Sequence, residues 1–287
     1  MRGKLKKLFA AVLAVLLALS FSGCIELTGL DAQALMSPPK TTADREAIYA
    51  LMGGGVGDVT LVYPKCGDYR SAIISRDLDG CGTSEVVSFC ANGDAGGTRL
   101  EFFKKNTDGV WNSMARFTSA ATQVDKVFFG DLKGDGMDEI IVGWGDPLKA
   151  TASVTVYYVD GDTIREFSMT TVSYSEILLT DFDSDNIKEL FVLQAAQTSG
   201  EEIMALGGLY RFDGDQPYVS KTVPLDAAVT RYTSVSFSQV NSWRRAAVLD
   251  GVKADGRMLT QVIGYDEASD RLISPLSNEE NATDRPT

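Results

Sequence analysis

Three short stretches hold most of the residues that could do chemistry. Asp77 to Glu85, Asp131 to Glu139 and Asp181 to Glu189 each begin on an aspartate, end on a glutamate eight residues later, and carry further acids between. Carboxylates crowded into one turn repel each other. A hard cation that takes about 6–8 oxygens relieves the repulsion. So do the backbone amides of the turn itself, to which aspartate side chains bond readily. The rest of the composition narrows the choice. The 287 residues include no histidine, which removes Ser-His-Asp and Cys-His pairs, HExxH zinc sites and imidazole acid–base work. With 27 Lys+Arg against 39 Asp+Glu, a net −12, nucleic acid is a poor partner. An apolar content of 44% is ample for a packed core, and 23% charged residues is too few for a disordered polyanion.

The acidic stretches belong to a repeat. Ser71–Cys90, Val124–Gly145 and Ser175–Gln194 all read as apolar strand, acidic loop, apolar strand, and their leading aspartates are 54 and 50 residues apart. A fourth copy, Thr233–Lys253, keeps the strands but has no carboxylate in its loop, Ser238–Ala246. Behind each copy lies a predicted hairpin: Arg99–Lys104 with Val110–Phe117, Ser153–Val159 with Thr163–Phe167, Gly208–Phe212 with Tyr218–Val223, and Leu259–Tyr265 with Arg271–Ser274. Runs of Val, Ile, Phe, Tyr and Thr bounded by Asp-Gly turns are strand signals. A period of about fifty residues, four antiparallel strands per period, predicts an all-β β-propeller of about four four-stranded blades. The blades are expected at about 69–123, 124–173, 174–230 and 231–276, with a polar tail over 277–287. Four blades make a small ring, so both a closed propeller and a partial, open one fit the pattern.

The loops Asp77–Val86, Asp131–Ile140 and Asp181–Leu190 resemble FG-GAP/VCBS repeats, the integrin-α-like propeller blade. The whole chain is similar to bacterial lipoproteins that carry such repeats. The resemblance implies calcium held by oxygens at loop positions 1, 3, 5, 7 (a carbonyl) and 9. In the third loop these are Asp181, Asp183, Asp185, the carbonyl of Ile187 and Glu189, with Asn186 in a glycine position because Asn accepts a left-handed backbone. The first loop offers Asp77, Asp79 and Glu85, but Cys81 replaces an oxygen, and sulfur is a poor calcium ligand. The second offers Asp131, Asp135 and Glu139, but Lys133 stands where an oxygen is needed and its ammonium could take the cation's part. Calcium is therefore expected first in the third loop, then the first, then the second. An EF-hand is excluded, because the twelfth positions are Ser88, Val142 and Val192, inside strands.

The amino terminus reads as an export signal. Arg2, Lys4, Lys6 and Lys7 precede the apolar run Leu8–Phe21, which is short for a bilayer span. Phe21-Ser22-Gly23-Cys24 resembles a bacterial lipobox, which implies cleavage before Cys24 and diacylation of its thiol. Residues 1–23 are then a signal peptide, 24–40 a tether, and 41–68 a lead-in with a short helix over Ala43–Met52. Cleavage removes four positive charges and leaves 23 against 39, a net −16. So acidic a body would be held at an anionic membrane by lipid and not by charge.

Gly53–Asp58 is glycine-rich but lacks the Lys-Ser/Thr of a P-loop and reads as a hinge. Cys66, Cys81 and Cys90 permit three different pairings or none, and are expected to be free. Trp243, Arg244 and Arg245 in the fourth loop form a candidate ligand surface. The expected function is that of an extracytoplasmic, lipid-anchored, non-catalytic module, binding a protein or polysaccharide. A glycan-active hydrolase or lyase using a carboxylate pair is one alternative. A truncated structural remnant of a longer propeller is the other.

Overall fold

The structure, a computed structural model, describes residues 42–55, 57–145, 152–194, 197–199, 202–214, 216–241 and 244–281. Cys24 and the whole export signal lie outside these, as does Trp243. Among the described residues no helix is long and apolar enough to cross a membrane.

The molecule is all-β with four antiparallel sheets. Among the described residues a single α-helix, α1 (Ala43–Leu51), precedes the sheets, where the sequence predicts it. The first sheet runs in the order β1 (Ile73–Arg76), β2 (Glu85–Ala91), β3 (Thr98–Lys105), β4 (Trp111–Ser119). The second is β5 (Gln123–Gly130), β6 (Glu139–Gly145), β7 (Ala152–Asp160), β8 (Thr163–Tyr174). The third is β9 (Glu176–Thr180), β10 (Glu189–Leu193), β12 (Glu202–Asp213), β13 (Gln216–Leu225), with the short β11 (Gln197–Ser199) beside the start of β12. The fourth is β14 (Val229–Asn241), β15 (Arg244–Lys253), β16 (Arg257–Asp266), β17 (Arg271–Asn281). Each sheet is therefore one sequence repeat. Two elements exceed the expectation: β11 is an added strand, and β17 runs through Asn281 into the segment read as a tail. There the register Gln261↔Ser277 to Arg257↔Asn281 pairs these polar residues with β16 along one edge.

The second strand of each of the first three repeats is buried on both faces, as a strand sandwiched between two layers must be. In β10, Leu190 and Val192 point into the core shared with the second sheet, and Phe191 and Leu193 into the core shared with the fourth; all four are fully buried. β6 is arranged alike, with Ile140 and Val142 toward the first sheet and Ile141 toward the third. The hydrophobic cores thus alternate with the sheets in chain order. The outward face of the first sheet is sealed by Ile48 and Met52 of the helical segment, packed on Val86, Cys90 and Phe103. Among the described residues no hydrophobic cluster joins the first sheet to the fourth, and no closed ring is seen.

Candidate functional site

The acidic loops connect the first and second strands of the first three sheets, between the closing pairs Arg76↔Glu85, Gly130↔Glu139 and Thr180↔Glu189. They share one construction. The aspartate at position 1 accepts the backbone N–H of position 6: Gly82 to Asp77 at 2.9 Å, Gly136 to Asp131 at 2.8 Å, Asn186 to Asp181 at 3.1 Å. Asp131 and Asp181 also accept the N–H of Asp135 and Asp185. Positions 4 and 6 are left-handed throughout. They are Gly80 and Gly82, Gly134 and Gly136, then Ser184 (φ 67°) and Asn186 (φ 68°). The tolerance expected of Asn186 is realised, whereas Ser184 adopts a conformation that costs a side chain about 1–2 kcal/mol.

The residue at position 2 plugs the core toward the next sheet. Leu78, Leu132 and Phe182 are all buried, and Phe182 stacks obliquely on Phe191 and on Phe237 of the fourth sheet. The plug's N–H donates to the glutamate at position 9: Leu78 to Glu85 at 2.9 Å, Leu132 to Glu139 at 2.7 Å, Phe182 to Glu189 at 2.8 Å. These three glutamates are at most 1% exposed. Burial raises Glu139 to about 7, against the Leu132 N–H and Lys133, which lower it. Burial likewise raises Glu189 to about 7, with Asp183 pushing the same way and the Phe182 N–H and Arg211 pulling down.

Each loop also stitches to its neighbour. The N–H of Asp138 donates to the Leu78 carbonyl, and that of Lys188 to the Asp131 carbonyl, both at 3.1 Å. Asp138 further accepts the Arg76 Nε at 2.7 Å.

The second oxygen of every position-9 glutamate faces a basic side chain. In the first loop Lys104 pairs with Asp79 and lies 3.5 Å from Glu85. In the second, Lys133 pairs with Asp135 at 2.8 Å and lies 3.5 Å from Glu139. In the third, Arg211 bonds Asp183, bonds Glu189 at 2.7 Å and lies 3.6 Å from Asp185. Burial opposes ionisation of Asp79, but bonds from Cys81 and Lys104 prevail and lower it to about 2.

The structure brings together Asp77, Asp79 and Cys81, and separately Asp181, Asp183 and Glu189, with candidate ligand atoms within 4.8 Å of one another. Among the described residues the second loop forms no such group. Asp77 Oδ1 and Asp183 Oδ1 are buried without a hydrogen-bond partner, so spare acceptor capacity exists. The chemistry of the donors in the third loop suits a hard cation. The place does not, because the Arg211 guanidinium already engages Asp183, Asp185 and Glu189. Lys104 and Arg211 are absent from the sequence-predicted set. They sit on β3 and β12, across the sheet from the acids they neutralise, and only the strand register points to them.

The fourth repeat has no equivalent loop. β14 and β15 zip up to Asn241↔Arg244. Of the expected surface there, Trp243 and the Arg244 side chain lie outside the described residues, and Arg245 lies over the Phe237 ring at 4.7 Å. Cys66, Cys81 and Cys90 are free thiols. Burial and the adjacent Asp125 push Cys66 up to about 11, and burial raises Cys90, so neither is a ready thiolate. No protein-family model matches the chain, and no curated protein matches it either.

Proposed function

We propose that the chain is a lipid-anchored, extracytoplasmic binding module of propeller-like blades, with no catalytic centre. The lipobox-like Phe21–Cys24 supports the location. One observation carries the non-catalytic reading: every buried acid among the described residues is committed to a structural partner. Glu85, Glu139 and Glu189 hold plug amides and face cations, and Glu101 pairs with Arg99 and Arg116. An acid–base pair for glycoside cleavage needs two carboxyls free to exchange protons with substrate.

The test is in two arms. The full chain expressed in a bacterium and fed an alkyne fatty acid should label and partition with membranes, and Cys24→Ser should do neither. The purified chain on a polysaccharide array should then retain a glycan without releasing reducing ends. Unlabelled wild type would overturn the anchor, and reducing-end release would overturn the non-catalytic assignment.

A further inference from the structure

We infer that each acidic loop is closed by a cation that the chain itself carries, Lys104, Lys133 and Arg211 in turn, seated where the resembling repeats would hold calcium. The inference is independent of what the module binds.

The argument rests on how the four repeats covary within this one molecule. The register Val86↔Phe103 places Lys104 across from Glu85, and Leu190↔Tyr210 places Arg211 across from Glu189. In both sheets the third strand supplies the base, and loop position 3 is an acid, Asp79 or Asp183. The second sheet reverses the arrangement. Ile140↔Tyr157 puts Tyr158 across from Glu139, and the base comes from loop position 3 itself, as Lys133. Its ammonium lies 5.1 Å over the Tyr158 ring, so the aromatic occupies the space that a strand cation fills in the other two sheets. The fourth sheet completes the series. Ala246 stands at the glutamate position, and Gly264 stands opposite it. Acid and base face each other three times, by two different routes, and in the fourth sheet neither stands at the paired positions Ala246 and Gly264, although Arg244 and Arg245 lie in its hairpin. A metal site has no need of a base opposite its ligand, and would be weakened by one. Two of the three position-1 aspartates agree with this reading, since both oxygens of Asp131 and of Asp181 accept loop amides, whereas Asp77 accepts one and keeps Oδ1 unpartnered.

A corollary follows for the third loop. Asp181, Asp183 and Glu189 already bring candidate oxygens within 4.8 Å of one another, and Asp183 Oδ1 is buried without a hydrogen-bond partner, so removing the guanidinium should leave a seat that calcium can take. The experiment is a thermal melt of the full chain in detergent at pH 8, in chelator and in 10 mM calcium, on wild type, Arg211→Met and Arg211→Met with Glu189→Gln. Wild type should melt at the same temperature in both. Arg211→Met should melt lower in chelator and recover by about 5 °C in calcium, and the double variant should not recover. A calcium-dependent rise in wild type would overturn the inference, as would a folded Arg211→Met indifferent to calcium. Should Arg211→Met fail to fold, calorimetric titration of wild type with calcium decides alone. Heat of binding with Kd below about 1 mM, the weak end for extracellular sites, would overturn the inference, and its absence would sustain it.

Discussion

Glu189 and Ala246 occupy the same place in neighbouring sheets, and the contrast between their surroundings separates what builds a sheet from what joins sheets. Around Glu189 there is an acidic loop, a plug, a cation and a stitch to the preceding loop. Around Ala246 there is a hairpin that closes directly on Asn241↔Arg244. The fourth sheet nevertheless packs Ala247, Leu249 and Ile263 into a core as dry as the others. Loops are therefore dispensable for a sheet. They serve its neighbours, through the plug at position 2 and the amide at position 8.

The contrast can be broken most strongly at Phe182. It is the plug between the third and fourth sheets, where no loop-to-loop amide bond is present among the described residues. Phe182→Ala should cost about 3–5 kcal/mol and loosen the fourth sheet selectively, which hydrogen exchange over residues 229–281 would reveal as early opening. Leu132→Ala, whose sheets remain tied by Lys188 to Asp131, should open cooperatively with the rest. Next in size is Glu189→Ala, expected to cost about 3 kcal/mol in a denaturant melt. It strands the Phe182 N–H and leaves Arg211 with one close partner fewer.

Acidity sharpens the comparison further. Glu139 and Glu189 have native values near 7, above the ordinary carboxylate value, so the native state binds their protons more tightly than the unfolded chain does. Their penalty is present in full above pH 7 and is relieved as pH falls toward 4.5. Stability should rise from pH 8.5 to pH 5.5, and Glu139→Gln with Glu189→Gln should flatten that rise. Below about pH 4 the order reverses, because Asp79 and Asp226 are held low by their lysine partners and their stabilisation is lost on protonation. The smallest effect is a gain. Ser184→Gly should raise stability by about 1 kcal/mol, since glycine adopts the left-handed backbone at no steric cost, and the matching position in the fourth hairpin offers no such gain.

Much of this was legible from periodicity. The fifty-residue repeat, the hairpins, the short helix and the left-handed Asn186 all follow from patterns local to a few residues. What escaped the sequence depends on pairing across strands. Lys104 in Phe103-Lys104 and Arg211 in Tyr210-Arg211 carry no signal in their own segments, and the register alone sets them opposite Glu85 and Glu189. Lys133 was visible because it lies inside its own loop. Ser184 escaped for another reason, since serine does not announce a positive φ as glycine does. The helix was expected, but its use as a cover for Val86 and Phe103 was not, because amphipathic spacing marks a buried face without naming its partner.

The succession of cores, each shared among the described residues by sheets adjacent in sequence, also bears on how the chain acquires its structure. Among the described residues the extensive sheet-to-sheet packing joins segments within about two repeats of each other, and contacts of that separation form at a modest cost in loop entropy. A lengthening chain can set α1 against the first sheet as soon as β3 is available, then add one sheet at a time on a finished face. Each newly made plug, from Leu78 to Phe182, is the template on which the following sheet condenses, and assembly proceeds in the order of synthesis.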